Sequence, residues 1–395
     1  MVKVNTKQLK DAVSQSLSLD RKAKVLLIAS NGILNVGSSN SECYEVVYSR
    51  YAYYNSYVNY LSISIECEND DDLGVLVGKK KLLNILDSVK SEYINLSIER
   101  NDSKDYLVIT DDKISYRLDA QNPEVFMGYG LYRDISDGIT INSKDLINAI
   151  ERVAYATDNL NPNYSIFKTI GFIFENNSFF IAAAGGNNLA VCDLKVSNNL
   201  NGRFGITKTA ALTLKKIFKK DKDILFNIVD NNKKVVFKSD NTVFVTKIVE
   251  EEVYPDVLSA VGKLRNHPTV ELKLPKNTVI NALKSLMSSI EEEKKKSYAN
   301  LSIFGIIAGA YYNVKLTLSN NNLNISSVYY NSQVNIPVDY TGDEYVREFK
   351  ASDLLEAVKN AYDNNITLKL PTKDGYPAYV DTSKSDYLAM VWPIK

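Results

Sequence analysis

The strongest constraint on this chain is a threefold internal repeat. Three nine-residue segments share one pattern: residues 5–13 (NTKQLKDAV), 142–150 (NSKDLINAI) and 275–283 (PKNTVINAL). Each reads as the end of a strand, a polar capping residue and an amphipathic helix with a small alanine near its middle. Their starts are 137 and 133 residues apart. A second set follows inside each unit: residues 77–86 (VGKKKLLNIL), 206–214 (ITKTAALTL) and 349–358 (FKASDLLEAV). A fixed period this long means three copies of one supersecondary unit. In the second unit Leu146, Ile147, Ala149, Ile150, Val153 and Ala154 form one apolar stripe, with Ser143 as the expected N-cap. Short alternating segments separated by Asn- and Asp-rich turns, such as Asp230–Asn232 and Asn320–Asn322, read as strands. Each unit is therefore expected to hold two helices and about eight strands, an α+β layer with helices on antiparallel sheet. The expected domains are 1–134, 135–264 and 265–395, with boundaries near Leu131–Ser136 and Val261–Thr269.

Composition narrows the chemistry. The 395 residues include three cysteines, Cys43, Cys67 and Cys192, with no metal-binding spacing and no disulfide framework, which suits a reducing cytosol. The N-terminus has no apolar leader and no run of 18 apolar residues occurs, so neither signal peptide nor membrane span is expected. The one histidine, His267, sits in a linker-like RNHPTV context and reads as a solvated loop residue. No nucleotide-loop, zinc-protease or nucleophile-elbow motif is present, and Asp70–Asp72 and Asp111–Asp112 read as hydrated turns. The chain is expected to be no enzyme and to need no cofactor.

The 47 basic and 47 acidic residues cancel, but not locally. Over the six expected helices, 5–18, 79–90, 142–157, 207–220, 275–290 and 350–362, there are 17 basic and 6 acidic side chains. The helices thus carry +11 and the remainder −11. Helix 207–220 alone holds Lys208, Lys215, Lys216, Lys219 and Lys220 with no acid. A lysine-rich face without interleaved aromatics suits contact with a phosphate backbone and not base reading.

At this point the sequence resembles the bacterial DNA polymerase III beta subunit family, the sliding clamps. Residues 170–175 (IGFIFE) followed by 182–192 (AAAGGNNLAVC) are similar to the family's G-x-x-F-E and A-T-D-G-h-R-L-A stretch. Residues 253–256 (VYPD) are similar to its "fPdy" segment, and 387–395 (YLAMVWPIK) to its ending. The resemblance implies three clamp-type domains and a head-to-tail dimeric ring around duplex DNA. It implies a processivity factor that tethers a DNA polymerase and is opened by a separate ATP-dependent loader. It implies a partner-peptide pocket of Thr169, Ala184, Gly186, Asn187, Asn188, Leu189, Pro255, Ala260, Pro377, Met390, Val391, Trp392, Pro393 and Ile394. Carried over in the same way, Arg21, Asn163 and Tyr164 join Lys79 and Lys80 of helix 79–90 and the lysines of 207–220, which the helix charge count singles out, as DNA contacts. The dimer contacts are Ile114 and Tyr116 against Leu286 and Met287, with ion pairs from Lys81 and Glu291–Glu293. The sequence departs from the family where Asp-Gly-His-Arg becomes Gly185, Gly186, Asn187 and Asn188, and where Trp392 replaces a methionine. A divergent clamp paralogue with a dedicated polymerase or repair partner is one alternative; a structural scaffold without DNA is another.

Overall fold

The structure, a computed structural model, describes all residues except 18–22, 49–50, 102–103, 112, 124–134, 159–164, 219–221, 250–252, 299–311, 383–385 and 395. The side chains of 41–48, 51–58 and 294–298 are likewise outside the description. The expected boundary at 131–134 and the contacts assigned to Arg21, Asn163, Tyr164, Lys219 and Lys220 therefore lie outside the described residues.

Among the described residues the repeat appears as three runs of eight strands. The first is β1 (Val2–Asn5), α1 (Thr6–Gln15), β2 (Lys24–Ser30), β3 (Ile33–Tyr48), β4 (Tyr51–Asn69), β5 (Leu73–Gly78), α2 (Lys79–Ser88), β6 (Tyr93–Asn101), β7 (Lys104–Thr110) and β8 (Ser115–Gln121). The second is β9 (Ile139–Asn142), α3 (Ser143–Val153), β10 (Thr169–Glu175), β11 (Ser178–Gly185), β12 (Asn188–Asp193), β13 (Gly202–Thr207), α4 (Lys208–Ile217), β14 (Asp223–Val229), β15 (Lys234–Lys238) and β16 (Thr242–Lys247). After α5 (Val257–Leu264) comes the third: β17 (Thr269–Pro275), α6 (Lys276–Tyr298), β18 (Asn313–Ser319), β19 (Asn322–Ser327), β20 (Gln333–Pro337), β21 (Tyr345–Lys350), α7 (Ala351–Lys359), β22 (Asn365–Pro371), β23 (Ala378–Asp381) and β24 (Tyr387–Val391).

Two compact units cut across these runs: residues 1–145 with 209–250, and 146–208 with 251–395. The first holds a twelve-stranded sheet, β1-β6-β7-β8-β5-β2-β3-β4-β16-β15-β14-β9. The second holds an eight-stranded sheet, β13-β10-β11-β12-β24-β23-β22-β17, and a four-stranded one, β20-β19-β18-β21. The same four-strand order, β5-β2-β3-β4, β13-β10-β11-β12 and β21-β18-β19-β20, recurs in each run. In two runs the strand at its end is extended by the last strand of the following run, β4 by β16 and β12 by β24.

Turn chemistry sets the registers. Asn31 and Gly32, Asn176 and Asn177, and Asn320 and Asn321 all have positive φ, the conformation a two-residue hairpin needs to match strand twist. Asparagine tolerates it because its short amide substitutes for backbone partners. Four aromatic rings on one face of the eight-stranded sheet, Phe172, Phe174, Phe179 and Phe204, stack at centroid separations of 4.4–6.2 Å. Burial of Phe172, Phe174 and Phe179 in the core contributes about 1.5–3 kcal/mol each by area, and Phe204 is half-buried.

Three expectations need correction. The N-cap of α3 is Asn142, whose Oδ1 accepts from the Lys144 and Asp145 amides at 3.0 and 3.4 Å. Ser143 is instead the first helical residue, and its hydroxyl accepts from the Lys222 amide at 3.2 Å. The expected linker at 261–269 begins inside α5, which is capped by Asp256 through the Ser259 amide at 3.1 Å. Gly262 is tolerated there on an exposed helical face, with nothing near the position a Cβ would take. Finally, the helix expected to end at 290 runs to Tyr298.

Candidate functional site

The family-like motifs meet in the second unit, around Gly171. Gly171 pairs with Ala182 and with Gly205 in the centre of the sheet. The ring of Tyr254 lies directly on it: a Cβ at Gly171 would be 2.2 Å from the Tyr254 ring. The Tyr254 hydroxyl donates to the Ala182 carbonyl at 3.1 Å, and complete burial pushes its pKa far above the usual tyrosine range. Arg203 Nε donates to the Tyr254 carbonyl at 2.7 Å, and its guanidinium lies 3.7 Å from Asp256, the cap of α5. The glycine of the first motif is thus a seat for the tyrosine of the second, and that seat fixes where Pro255 and α5 begin. The far end of α5 is held too, because the Tyr379 hydroxyl bonds to the Leu264 carbonyl.

The register divides the expected pocket between two faces. Side chains directly opposite each other in a sheet share a face, and neighbours along a strand alternate. Thr169, Ala184, Leu189 and Met390 share the face of Gly171 and Tyr379, through the pairs Ala184 with Leu189, Leu189 with Met390, and Met390 with Tyr379. This is the face to which Tyr254 and α5, with Pro255 and Ala260, are attached. Asn188 and Val391 pair with each other and share the opposite face with Cys192 and Tyr387. There the Tyr387 hydroxyl donates to the Ala357 carbonyl of α7 at 3.0 Å. Gly185 is needed on that face because a Cβ would meet the Asp158 amide at 2.3 Å. Asn188 and Val391 therefore point away from the face that carries Leu189 and Met390. On that latter face Met390, Leu189 and Thr169 are buried, while Ala184, Pro255 and Ala260 are half-buried. Pro377 is buried beside β23.

The rim is formed by the turn and the tail. Gly186 takes a positive φ of 56°, and both it and Asn187 are exposed. The Trp392 amide donates to the Asn187 carbonyl at 3.0 Å, and the Ile394 amide to the Glu348 carbonyl of β21 at 2.7 Å. Trp392 and Pro393 are half-buried and Ile394 is exposed. The fourteen residues carry no charge.

The lysines divide by what holds them. Lys80, Lys215 and Lys216 are exposed. Lys79 is not a free phosphate contact: its amine donates to the Ser16 and Ser14 carbonyls at 2.6 and 3.3 Å, closing the C-terminal end of α1. Burial lowers its pKa, and burial lowers that of Lys208 as well. Helix-end carbonyls attract such cations, a role the sequence count of helix charge could not separate from a solvated one.

Of the expected interface residues, Ile114 is half exposed, at 51%. It is presented by a turn in which Asp111 Oδ1 accepts from the amides of Lys113 and Ile114 at 2.9 and 2.8 Å. Those bonds hold the Asp111 carboxyl below its usual pKa. Tyr116 lies on β8, with its hydroxyl 3.3 Å from Ser88. Lys81 pairs with Asp119 of its own chain at 3.5 Å. Leu286 is 1% exposed and packs into the core, leaving the half-buried Met287 as the accessible member of that pair. Glu293 of the acidic run accepts from Ser332 at 2.7 Å.

His267 is packed, not solvated. Its ring stacks on Tyr376 at 4.3 Å, and Nδ1 is 2.9 Å from the Tyr379 hydroxyl. The tightness of the α5–β17 connection, invisible in an Asn-His-Pro string, explains the difference. Among the described residues there is no cluster of His, Cys, Asp and Glu fit to hold a metal, and no helix long and apolar enough to cross a membrane.

These features define a class: a threefold α+β repeat with the clamp fold. Residues 140–256 match the family described as DNA polymerase III beta subunit, central domain. The DNA polymerase III beta subunit of Pseudomonas aeruginosa has a similar structure over 100% of both chains, with a TM-score of 0.76 and 16% identity. The Helicobacter pylori beta clamp bound to a DNA ligase peptide gives 0.73 and 18%, again over 100% of both chains. The Caulobacter crescentus DNA polymerase sliding clamp gives 0.77 and 14%, over 100% of this chain and 99% of that one. No curated protein matches the chain by sequence. The chain has the fold of the bacterial DNA polymerase III beta clamps, resembles them at low sequence identity, and is similar to that family's central domain over 140–256.

Proposed function

We propose that this chain is a DNA polymerase processivity factor, a sliding clamp that closes as a head-to-tail dimer around duplex DNA. The observation that carries the reading is the coincidence of the central-domain match with the clamp fold along the whole chain. The repeat supports ring closure. β4 and β12 are each extended by the last strand of the next run, but β20, their equivalent in the third run, has no outer neighbour among the described residues. Among the described residues β8, the last strand of the first run, pairs on its outer side only through Ala120 and Gln121 with β5. Ser115–Asp119 of one chain against β20 of another repeats the β4–β16 contact between molecules. Two such contacts close a ring and leave no exposed edges there. The three repeats correspond in this reading to domains 1–134, 135–264 and 265–395.

The mechanism is mechanical. Lys80, Lys215 and Lys216, with the other helix lysines, make diffuse phosphate contacts that permit sliding, while enclosure prevents dissociation. A loader driven by ATP opens the ring, no bond is made or broken by it, and the site of action is the cytoplasm. The test is retention. Loaded protein is expected to stay on circular duplex DNA through a high-salt wash and to run off within minutes once the circle is cut. Equal loss from both forms would sink the topological mechanism.

Partner binding is assigned to the face of Leu189 and Met390, rimmed by Trp392. The loss of the family's acid, imidazole and guanidinium at 185–188 favours a dedicated partner with an uncharged anchor segment. Trp392→Ala is expected to lower polymerase stimulation at least about tenfold, the scale of one buried anchor, with the dimer retained. Normal stimulation by that variant would move the partner site elsewhere.

A further inference from the structure

Three elements of the second unit converge on the end of α7, and they gather two cations there. Arg152, in the last turn of α3, lies flat over the Tyr362 ring with its guanidinium carbon 3.7 Å from the ring centroid. Lys276, the first residue of α6, donates from Nζ to the Ala361 carbonyl at 2.8 Å. The two charges therefore sit at adjacent residues, Ala361 and Tyr362. They are close enough that the Lys276 pKa is lowered, first by burial and then by the charge of Arg152.

The pair is not neutralised. Neither cation forms an ion pair with a carboxylate among the described residues, although Glu151 precedes Arg152 in the chain and Asp363 follows Tyr362. The nearby acids Asp353 and Glu356 are engaged by Lys350 and Lys359. The ring fixes the plane of the Arg152 guanidinium by a cation–π contact, and none of its N–H groups donates to a protein acceptor among the described residues. A guanidinium held in one plane with its donors open is a fork suited to bidentate phosphate binding, at little further cost in side-chain entropy. Tyr362 is itself 49% exposed, and Arg152 is half-buried.

We propose that Arg152, seated on Tyr362 and reinforced by Lys276, is a phosphate seat that grips one backbone phosphodiester of duplex DNA. It rests on the clamp reading and adds to it a fixed contact among diffuse ones. The family-like motifs do not include Arg152, and in the helix charge count it is one of 17 basic side chains with nothing to single it out, its charge offset by the neighbouring Glu151.

The experiment compares the full-length wild type with Arg152→Gln and Arg152→Lys, measuring the affinity for a labelled duplex as salt is raised. Removing one phosphate contact is expected to weaken binding severalfold at low salt and to reduce the slope of log K against log salt by about 0.9. Arg152→Lys is expected to restore the slope while recovering only part of the affinity, since a point charge replaces the fork. A wild-type slope in Arg152→Gln, with or without lower thermal stability, would make the Arg152–Tyr362 stack a structural joint only and overturn the proposal. If the wild type itself fails to bind duplex at low salt, the clamp reading falls and this proposal with it.

Discussion

Gly171→Ala should unfold the second unit far more readily than its size suggests. The added methyl group would stand 2.2 Å from one atom of the Tyr254 ring and 2.3 Å from another, within a sheet centre that has no room to yield. Overpacking of this kind costs about 3 kcal/mol or more. In a urea titration the midpoint is expected to fall with the slope unchanged. Tyr254→Ala removes the obstacle and leaves a cavity, so alone it costs about 3–5 kcal/mol. In the double variant the methyl group occupies part of that cavity. The combined loss is therefore expected to fall short of the sum by about 1.5 kcal/mol or more. Simple additivity would show that the ring does not rest on the glycine. Because Tyr254 leads into Pro255 and α5, the same variants should weaken partner binding more than dimerisation.

Ile114→Glu should convert a dimer into monomers without disturbing the fold. Ile114 is exposed in the single chain, and its turn is held by Asp111 and not by the isoleucine side chain. Its burial across a subunit contact is worth about 2–3 kcal/mol, and a carboxylate in its place brings a further desolvation cost of about 1–3 kcal/mol. Together these raise the dimer dissociation constant by about a thousandfold, and closure requires two such contacts, so the ring feels the change twice. Sedimentation equilibrium should give about twice the 44.3 kDa chain mass for the wild type and the single chain mass for the variant. A variant that stays dimeric, or a wild type that is monomeric, removes the ring from the model. Retention on circular DNA should vanish in parallel, since an open chain encloses nothing.

Much of this architecture was legible along the chain because repetition amplifies weak signals. Residues 5–13, 142–150 and 275–283 do open α1, α3 and α6, and each run does carry eight strands. The asparagine turns were legible for a local reason: few residues other than asparagine and glycine accept positive φ. What failed depended on neighbours distant in sequence. The apolar positions of α5 were present, and Asp256 followed by Ser259 was a usable N-cap signal, but Gly262 and Pro268 drew attention to a linker instead. His267 looked solvated because its packing partners, Tyr376 and Tyr379, come more than a hundred residues later.

The site shows the same division. The residues of the expected pocket were found by their likeness to a motif, and a motif has no faces. Only the register, Leu189 opposite Met390 and Asn188 opposite Val391, separates those on the α5 side from those turned toward α7. Charge behaved similarly. The sequence by itself determined the threefold repeat, the strand and helix content, and an excess of cations on the helices, because these follow from period, turn chemistry and composition. Tertiary structure alone decided which cations are available. Lys79 is consumed by a helix end, whereas Arg152 is held open on the Tyr362 ring. Hydrogen-bond partners and desolvation are set by residues brought together in space, and no local pattern encodes them.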